Sequence, residues 1–520
     1  MIREPMLLAI DCGTQSIRAL LFDSKGRLID KEKVEYRPYF STRPGWAEQD
    51  PEIWWSGLCS AVKKLKARDG GRFARIQGVG VTSQRDSMIH LDESGDPLRP
   101  SLLWLDQRKA APVYHPRGLN RLAYSLVGMK EAIYKTQVDG KGNWVRQHEP
   151  DIWDKTYKYA QVSGFFNHRL TGCFVDSAAS QIGHIPFNYK KLRWSTEKEL
   201  GQHLFPVEKE KLMDLAAPGE TIGSVTATAE RDTGIPEGLP VVACGSDKGC
   251  ETLGMGVLDT SMASLSFGTT ATVQTTSSRY FEPLAFMPAY PAPVPGRYNP
   301  EVEIFRGYWM ISWFKEEFGD KEVRQAEREG VPPEIVINRL LENVPPGSMG
   351  LMVQPYWSPG LKIPTAKGTI IGFGDVHTRA HVYRGVIEGL AYALKDGLDK
   401  IERAGRTRIR SLAVSGGASQ SDEICRISAD IFNLPMVRGE TFETAGLGAA
   451  ITTAVGLGIY RDFPAAVEGM VRYGDTFEPD PENAELYHKL YSRVYIKIFG
   501  GLKHLYEEIC EIIGYPEKLS

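Results

Sequence analysis

Cysteine is scarce in this 520-residue chain: seven residues, at 12, 59, 173, 244, 250, 425 and 510, with no CxxC pair. Scattered and odd in number, they exclude a disulfide framework and point to a reducing, cytoplasmic setting. The ten histidines are just as dispersed, with no HExxH and no Cys/His cluster, which argues against protein-ligated zinc. No run of 18 apolar residues occurs, so no membrane helix is expected. The opening MIREPMLLAID has only a short apolar run before Asp11 and does not read as a signal peptide. Charge of neither sign dominates: 62 basic against 65 acidic residues, net -3. That balance offers neither a nucleic-acid surface nor a polybasic membrane anchor. There is no fixed-period repeat.

The residues present suit a folded protein, with 42% hydrophobic and 24% charged. At 520 residues the chain is too long for one ordinary core and suits two sizeable domains. MLLAID (6–11) and IRALLFD (17–23) read as strands joined by the polar turn CGTQS, a hairpin signal rather than the strand-to-helix GxGxxG of a dinucleotide site. RLIDKEKVEYRP continues as a third extended segment. PEIWWSGLCSAVKKLKA (51–67) reads as a helix capped by Asp50 with Pro51 in its first turn. IQGVGVT (76–82) is a buried strand ending in SQRD. The region 109–215 is mixed and richer in helix signals. PVVACGSDKGC (240–250) returns to a buried strand, and SMASLSFGTTATVQTTS (261–277) repeats the opening logic of strand, Gly-Thr turn, strand. Two such units predict two related α/β domains facing a cleft, 1–255 and 256–520. The proline- and tyrosine-rich stretch 279–300 reads as a lid or an irregular loop. HVYRGVIEGLAYALKDGLDKIERAG (381–405) reads as a long helix stopped by Gly405. LGAAITTAVGLGIY (447–460) is a small-residue helix suited to tight packing, and 483–513 reads as an amphipathic helix.

Several residues are candidates for chemistry. In the turn after the first strand, Gly13, Thr14, Gln15 and Ser16 offer backbone and hydroxyl donors to a phosphoryl group, and Asp11 offers a carboxylate to Mg²⁺. A plain Asx-type hairpin cap is the alternative. Gly268-Thr269 makes a second such turn, and Gly416-Gly417, before a helix, a third. Arg85 and Asp86 can fork onto vicinal hydroxyls or close the strand end as an ion pair. Trp104, with Asp106 and Arg108, either lines the same pocket or belongs to the core. Asp247, at the end of an apolar strand, can take the proton of an attacking alcohol or cap the helix after it. Lys248 beside it either meets phosphate or faces water.

Taken in order, AIDCGTQSIRALLFD, PGWAEQDPEIWW, GVTSQRDSMIHLD, LLWLDQR, GSDKGCETLGMGV, SLSFGTT, RGVIEGLAYAL and VSGGASQSDEICRISAD resemble the FGGY carbohydrate kinase family over roughly 6–470. The resemblance implies an α/β fold of two actin-like, ribonuclease-H-like domains around a central cleft, closing over substrate and MgATP. It implies a kinase that transfers the γ-phosphate of ATP to a hydroxyl of glycerol, a pentulose or an alditol. It implies Asp247 as general base, Arg85 and Asp86 on substrate hydroxyls, Thr269 near the transferred phosphate, and Gly416 and Gly417 at the nucleotide. The glycerol kinase pattern Arg-Glu reads Arg-Asp here, and the Asp-Gln pair reads Asp247-Lys248, a departure that bears on an anionic or unusual substrate. The alternative on the same fold is a non-catalytic, nucleotide-switched sugar sensor; a filament or chaperone ATPase is a third reading. Dimers and tetramers are common for such enzymes, and a homodimer is the expectation.

Overall fold

The structure, a computed structural model, describes residues 4–118, 129–358 and 365–514, with Tyr124 and Leu126. Its frame is two six-stranded sheets. The first is built from β1 (Met6–Cys12), β2 (Ser16–Asp23), β3 (Leu28–Glu35), helix α1 (Pro51–Arg68), β4 (Ile76–Ser83), β5 (Thr221–Ser224), β6 (Pro240–Val242) and the helix leaving it, α2 (Asp247–Gly254). The second comprises β7 (Met262–Phe267), β8 (Ala271–Gln274), β9 (Glu301–Ile304), the long helix α3 (Arg379–Gly405), β10 (Ser411–Ser415), α4 (Asp422–Phe432), β11 (Met436–Gly439), α5 (Thr444–Gly456) and β12 (Tyr473–Phe477).

Strand order is β5-β6-β4-β1-β2-β3 in one sheet and β9-β8-β7-β10-β11-β12 in the other. Each therefore holds an antiparallel three-strand meander (β3-β2-β1, β9-β8-β7) followed by two parallel strands (β4 and β6; β10 and β11) and an antiparallel edge strand. The parallel strands place their C-terminal ends on one edge, where ligands bind in open α/β sheets.

The strands form because buried apolar residues run through them. Every residue of β1 is buried, as expected for a central strand covered on both faces. Leu8, Ile10 and Cys12 pack toward Trp54, Leu58 and Val62 of α1. Leu7 and Ala9, on the opposite face, meet Leu447, Ala450 and Ile451 of α5. Asp50 caps α1 by accepting from Glu52 N, with Pro51 in the first turn, as the sequence predicts. A larger apolar core covers the second sheet, with α3 supplying Val386, Ile387, Leu390 and Leu394.

Although it comes from the second half of the sequence, α5 packs on the first sheet and crosses α2 backbone to backbone. A Cβ on Gly254 would overlap the Thr444 carbonyl, and one on Gly448 would overlap that of Cys250. The small-residue helix thus packs as tightly as expected.

Some local expectations need correction. Gly405 does not stop α3; it is the last helical residue, and Arg406 takes the left-handed position at φ 49. The 279–300 segment contains a short hairpin, Tyr290–Pro291 against Tyr298–Asn299. The C-terminal helix is two, Pro481–Leu490 and Ile496–Ile513, joined by a π turn over 491–495. All seven cysteines are free. No described helix is long and apolar enough to cross a membrane.

Candidate active site

The first sheet brings its sequence candidates to one edge. Asp11 pairs with Thr82 and Cys12 with Ser83 in parallel register, and Ser83 bridges Ser246. The 13–16 turn, Gln84-Arg85 and Asp247 therefore lie just past three neighbouring strand ends. The turn is tight: Gly13 N donates to Ser16 O at 3.0 Å, and Tyr36 Oη donates to Gly13 O at 2.6 Å. Thr14 Oγ1 donates to Gln84 Oε1 at 2.8 Å and accepts from Trp104 Nε1 at 3.0 Å. Gln84 Nε2 is buried with no hydrogen-bond partner.

Asp247 does not cap its helix. Ser246 does, accepting from Gly249 N, so Asp247 is the first helical residue and its carboxylate is released from that duty. Its Oδ1 accepts from Lys248 N at 2.7 Å and lies 3.9 Å from Arg85 Nε; Oδ2 accepts no hydrogen bond from the described residues. The side chain keeps 31% exposure, yet burial by surrounding protein pushes its pKa up, against the lowering pull of Arg85 and Lys248. The carboxylate thus lies on a protein floor at the sheet edge, part-exposed and part-desolvated.

Around this floor Asp11 is almost fully buried, with Oδ2 2.7 Å from Arg18 NH1. Burial raises its carboxyl to about 6 against the pull of Arg18, and the charges of Asp247 and Glu443 add to the rise. Arg85 grips Glu301 of β9 with both terminal nitrogens, at 3.1 and 3.0 Å, and lies 5.1 Å above the Tyr290 ring. Lys248 Nζ donates to Glu251 and to Ser266 Oγ of β7, both at 2.8 Å. The two sheet edges are thus joined through Arg85–Glu301 and Lys248–Ser266.

Arg85 and Asp86 do not close the strand end as an ion pair, the alternative to holding substrate hydroxyls. Asp86 adopts a left-handed φ of 54, and its carboxylate takes Lys141 Nζ at 2.6 Å and His184 Nδ1 at 2.8 Å. Burial pushes its carboxyl upward, but the His184 ring and the Lys141 ammonium outweigh that and hold it well below the usual range. Trp104 is 43% exposed, not core. Asp106 and Arg108 line no pocket with it; they are a buried ion pair at 2.8 Å, with the guanidinium stacked between Trp46 and Trp144.

On the second sheet Ser266 pairs with Ser415, which brings the Gly268-Thr269 and Gly416-Gly417 turns side by side. Gly416, at φ 91, sits so close to β7 that a Cβ would be 2.7 Å from the Phe267 carbonyl carbon. A Cβ on Gly417 would instead stand in open space. Gly416 and Gly417 lead into a short 3₁₀ turn, Gly417–Gln420, and then α4, capped by Ser421.

Sequence reasoning missed Arg18, Glu443, Tyr290, Glu301 and Glu303. A signal for the last two was present: EVEI puts two acids at period two, on one face of a strand, opposite Gln274 and Thr272 of ATVQ.

No group of three or more His, Cys, Asp or Glu side chains able to hold a metal ion occurs among the described residues. The donor set still fits a nucleotide-borne Mg²⁺, which needs only one or two carboxylates when phosphate oxygens complete its shell. Buried Asp11 and part-exposed Asp247 are oxygen donors whose mutual repulsion a cation relieves, and the space beyond Gly417 is open to a nucleotide.

Fold and site define a two-lobed α/β protein with side-chain acid chemistry on one edge and glycine turns on the facing one. Residues 6–254 match the N-terminal domain, and 263–457 the C-terminal domain, of the FGGY family of carbohydrate kinases. The chain belongs to this family. It is 31% identical over 488 residues to the uncharacterised sugar kinase YgcE of Escherichia coli K12, covering 92% of this chain and 90% of the relative. It is 26% identical over 518 residues to a xylulose kinase of Lactococcus lactis, covering 97% and 98%. The gluconate kinase structure from Lactobacillus acidophilus superposes with a TM-score of 0.82 at 22% identity, over 97% of this chain and 100% of that one.

Proposed function

We propose that this protein transfers the γ-phosphoryl group of ATP to a hydroxyl of a small sugar or polyol, with Asp247 as general base. The observation that carries this reading is the Asp247 carboxylate, released from helix capping, part-exposed at the sheet edge and free of hydrogen bonds from the described residues at Oδ2. The repeated strand order supports two actin-like, ribonuclease-H-like domains, 1–255 and 256–520, with the cleft between them.

Asp247 Oδ2 takes the proton of the substrate hydroxyl as its oxygen attacks phosphorus, while Oδ1 is held by Lys248 N and Arg85. Desolvation makes the carboxylate a better base than one in water, and Arg85 and Lys248 oppose that gain. Glu301 anchors the Arg85 fork, fixing a cation that faces the base. Trp104, Arg85 and Asp86 bound the substrate side; Asp86 acts there through the Lys141 and His184 groups it holds. The turns at Gly13–Ser16, Gly268-Thr269 and Gly416-Gly417 would hold the nucleotide, and Asp11 would hold Mg²⁺. Bound Mg²⁺ neutralises the phosphate charge that would otherwise repel the attacking oxygen.

A coupled ADP-release screen over polyols, ketoses and sugar acids tests the reading, with mass spectrometry and NMR fixing the product. Sugar-dependent ADP release with a phosphorylated product is expected. Nucleotide-dependent closure over a sugar with no phosphorylated product would overturn it in favour of a nucleotide-switched sensor.

A further inference from the structure

Resting on that kinase reading, we propose that Glu303 is a charge selector in the substrate pocket, admitting neutral polyols and ketoses and rejecting sugar acids. Along β9 alternate residues share a face, so Glu303 points to the same side as Glu301, which holds Arg85. Glu303 is half-buried and makes no hydrogen bond or ion pair with any described residue. The charged groups facing it are Glu301 on its own strand, Arg85 beyond β4, and Lys248 and Asp247 on α2; the Tyr290 phenol faces it from the short hairpin.

Each cation in this set already has a carboxylate. Arg85 is committed to Glu301 through two hydrogen bonds, and Lys248 to Glu251 and Ser266. Lys248, the residue that pointed toward an anionic substrate in the sequence, is therefore neutralised in place. Glu303 is the charge left over. A sugar hydroxyl donates to it and satisfies it, whereas a sugar carboxylate meets a like charge with no free cation to offset it.

Burial, reinforced by the negative charge of Glu301, pushes the Glu303 carboxyl up to about 7. It is anionic above that pH and protonated below it, so discrimination against acids is strongest on the alkaline side and relaxes as pH falls. Any titration of Asp247 acts on both substrate types and cancels in their ratio.

The test uses the full chain with MgATP and three five-carbon acceptors: a pentulose, a pentitol and the pentonate. The wild-type protein is expected to favour the better neutral acceptor over the pentonate by at least about tenfold in kcat/KM at pH 8, the scale of one like-charge contact at intermediate dielectric. That ratio is expected to shrink toward pH 6. Glu303→Gln is expected to bring the pH 8 ratio down to the pH 6 value and flatten its pH dependence, and Glu303→Ala to do the same. Equal or better use of the pentonate by the wild type, a pH-independent ratio, or an unchanged ratio in folded Glu303→Gln overturns the selector while leaving the kinase intact. Absence of any phosphorylated product across the trio and the wider screen overturns the kinase reading and the selector with it. The wild-type pH series needs no variant, so a poorly folded substitution does not shield the proposal.

Discussion

The edge of the first sheet and the edge of the second share the sequence of meander and parallel strands but expose different chemistry. The first presents side chains: Asp11, Gln84, Arg85 and Asp247, with acidity constants moved by burial and by one another. The second presents backbone: the Gly268-Thr269 and Gly416-Gly417 turns, held level by the Ser266–Ser415 pairing. On the proposed reading, the difference follows from two tasks. Moving a proton requires a group with a tuned acidity constant, which only a side chain supplies. Holding a polyphosphate requires many short-range donors in fixed positions, which main-chain N–H groups supply once Cβ atoms are out of the way.

Breaking the comparison is simplest at the base. Asp247→Asn removes proton acceptance while keeping size and polarity. It is expected to lower kcat by about 10² to 10⁴-fold, the range for general-base loss, with ATP affinity by calorimetry nearly unchanged. Parallel losses of turnover and nucleotide affinity would mean that the first edge also holds the nucleotide through this residue.

The glycines sharpen the contrast from the other side. Gly416→Ala forces a side chain onto φ 91 and into the Phe267 backbone. A cost of about 1–3 kcal/mol in unfolding free energy is expected from that strain, visible in denaturant titration. Gly417→Ala places its methyl in open space, so stability should hold within about 0.5 kcal/mol while ATP affinity falls. Equal melting behaviour in the two variants would remove the distinction between a packing glycine and a ligand-facing one.

A smaller and signed effect separates tuning from support. Arg85 lowers the pKa of Asp247 that burial raises. Arg85→Met should therefore move the acid limb of kcat/KM to higher pH, because Asp247 then protonates sooner as pH falls. Glu301→Gln releases the Arg85 fork toward Asp247 and should move the limb to lower pH. Each shift is expected to be about half a unit to one unit. Shifts of the same sign would show that the two residues act through folding rather than through the charge on the base.

Much of this was legible along the chain. The hairpin over 6–23 and the Asp50-capped helix each carry their cause within a few residues, buried strand patterns and capping chemistry, and the glycine turns stand out by composition. Asp247 stood out for the same reason, at the end of an apolar strand. Its release from capping was also local in origin, since the preceding serine takes that role. Where expectation failed, the partner was remote. Asp86 looked like the partner of Arg85 and instead binds Lys141 and His184, 55 and 98 residues away in sequence. Arg85 reaches Glu301, 216 residues on. Trp104 and Arg108 look alike as pocket candidates, yet one is an exposed donor to Thr14 and the other a buried cation between two indoles.

Sequence by itself thus determined the elements, the family and the residue types at the strand ends, because period, caps and turns are short-range properties. Tertiary structure alone decided which charges neutralise which, and so left Glu303 unpaired beside the proposed base. Electrostatic pairing depends on distance in space and on the surrounding dielectric, and neither is written in the spacing of residues along a chain.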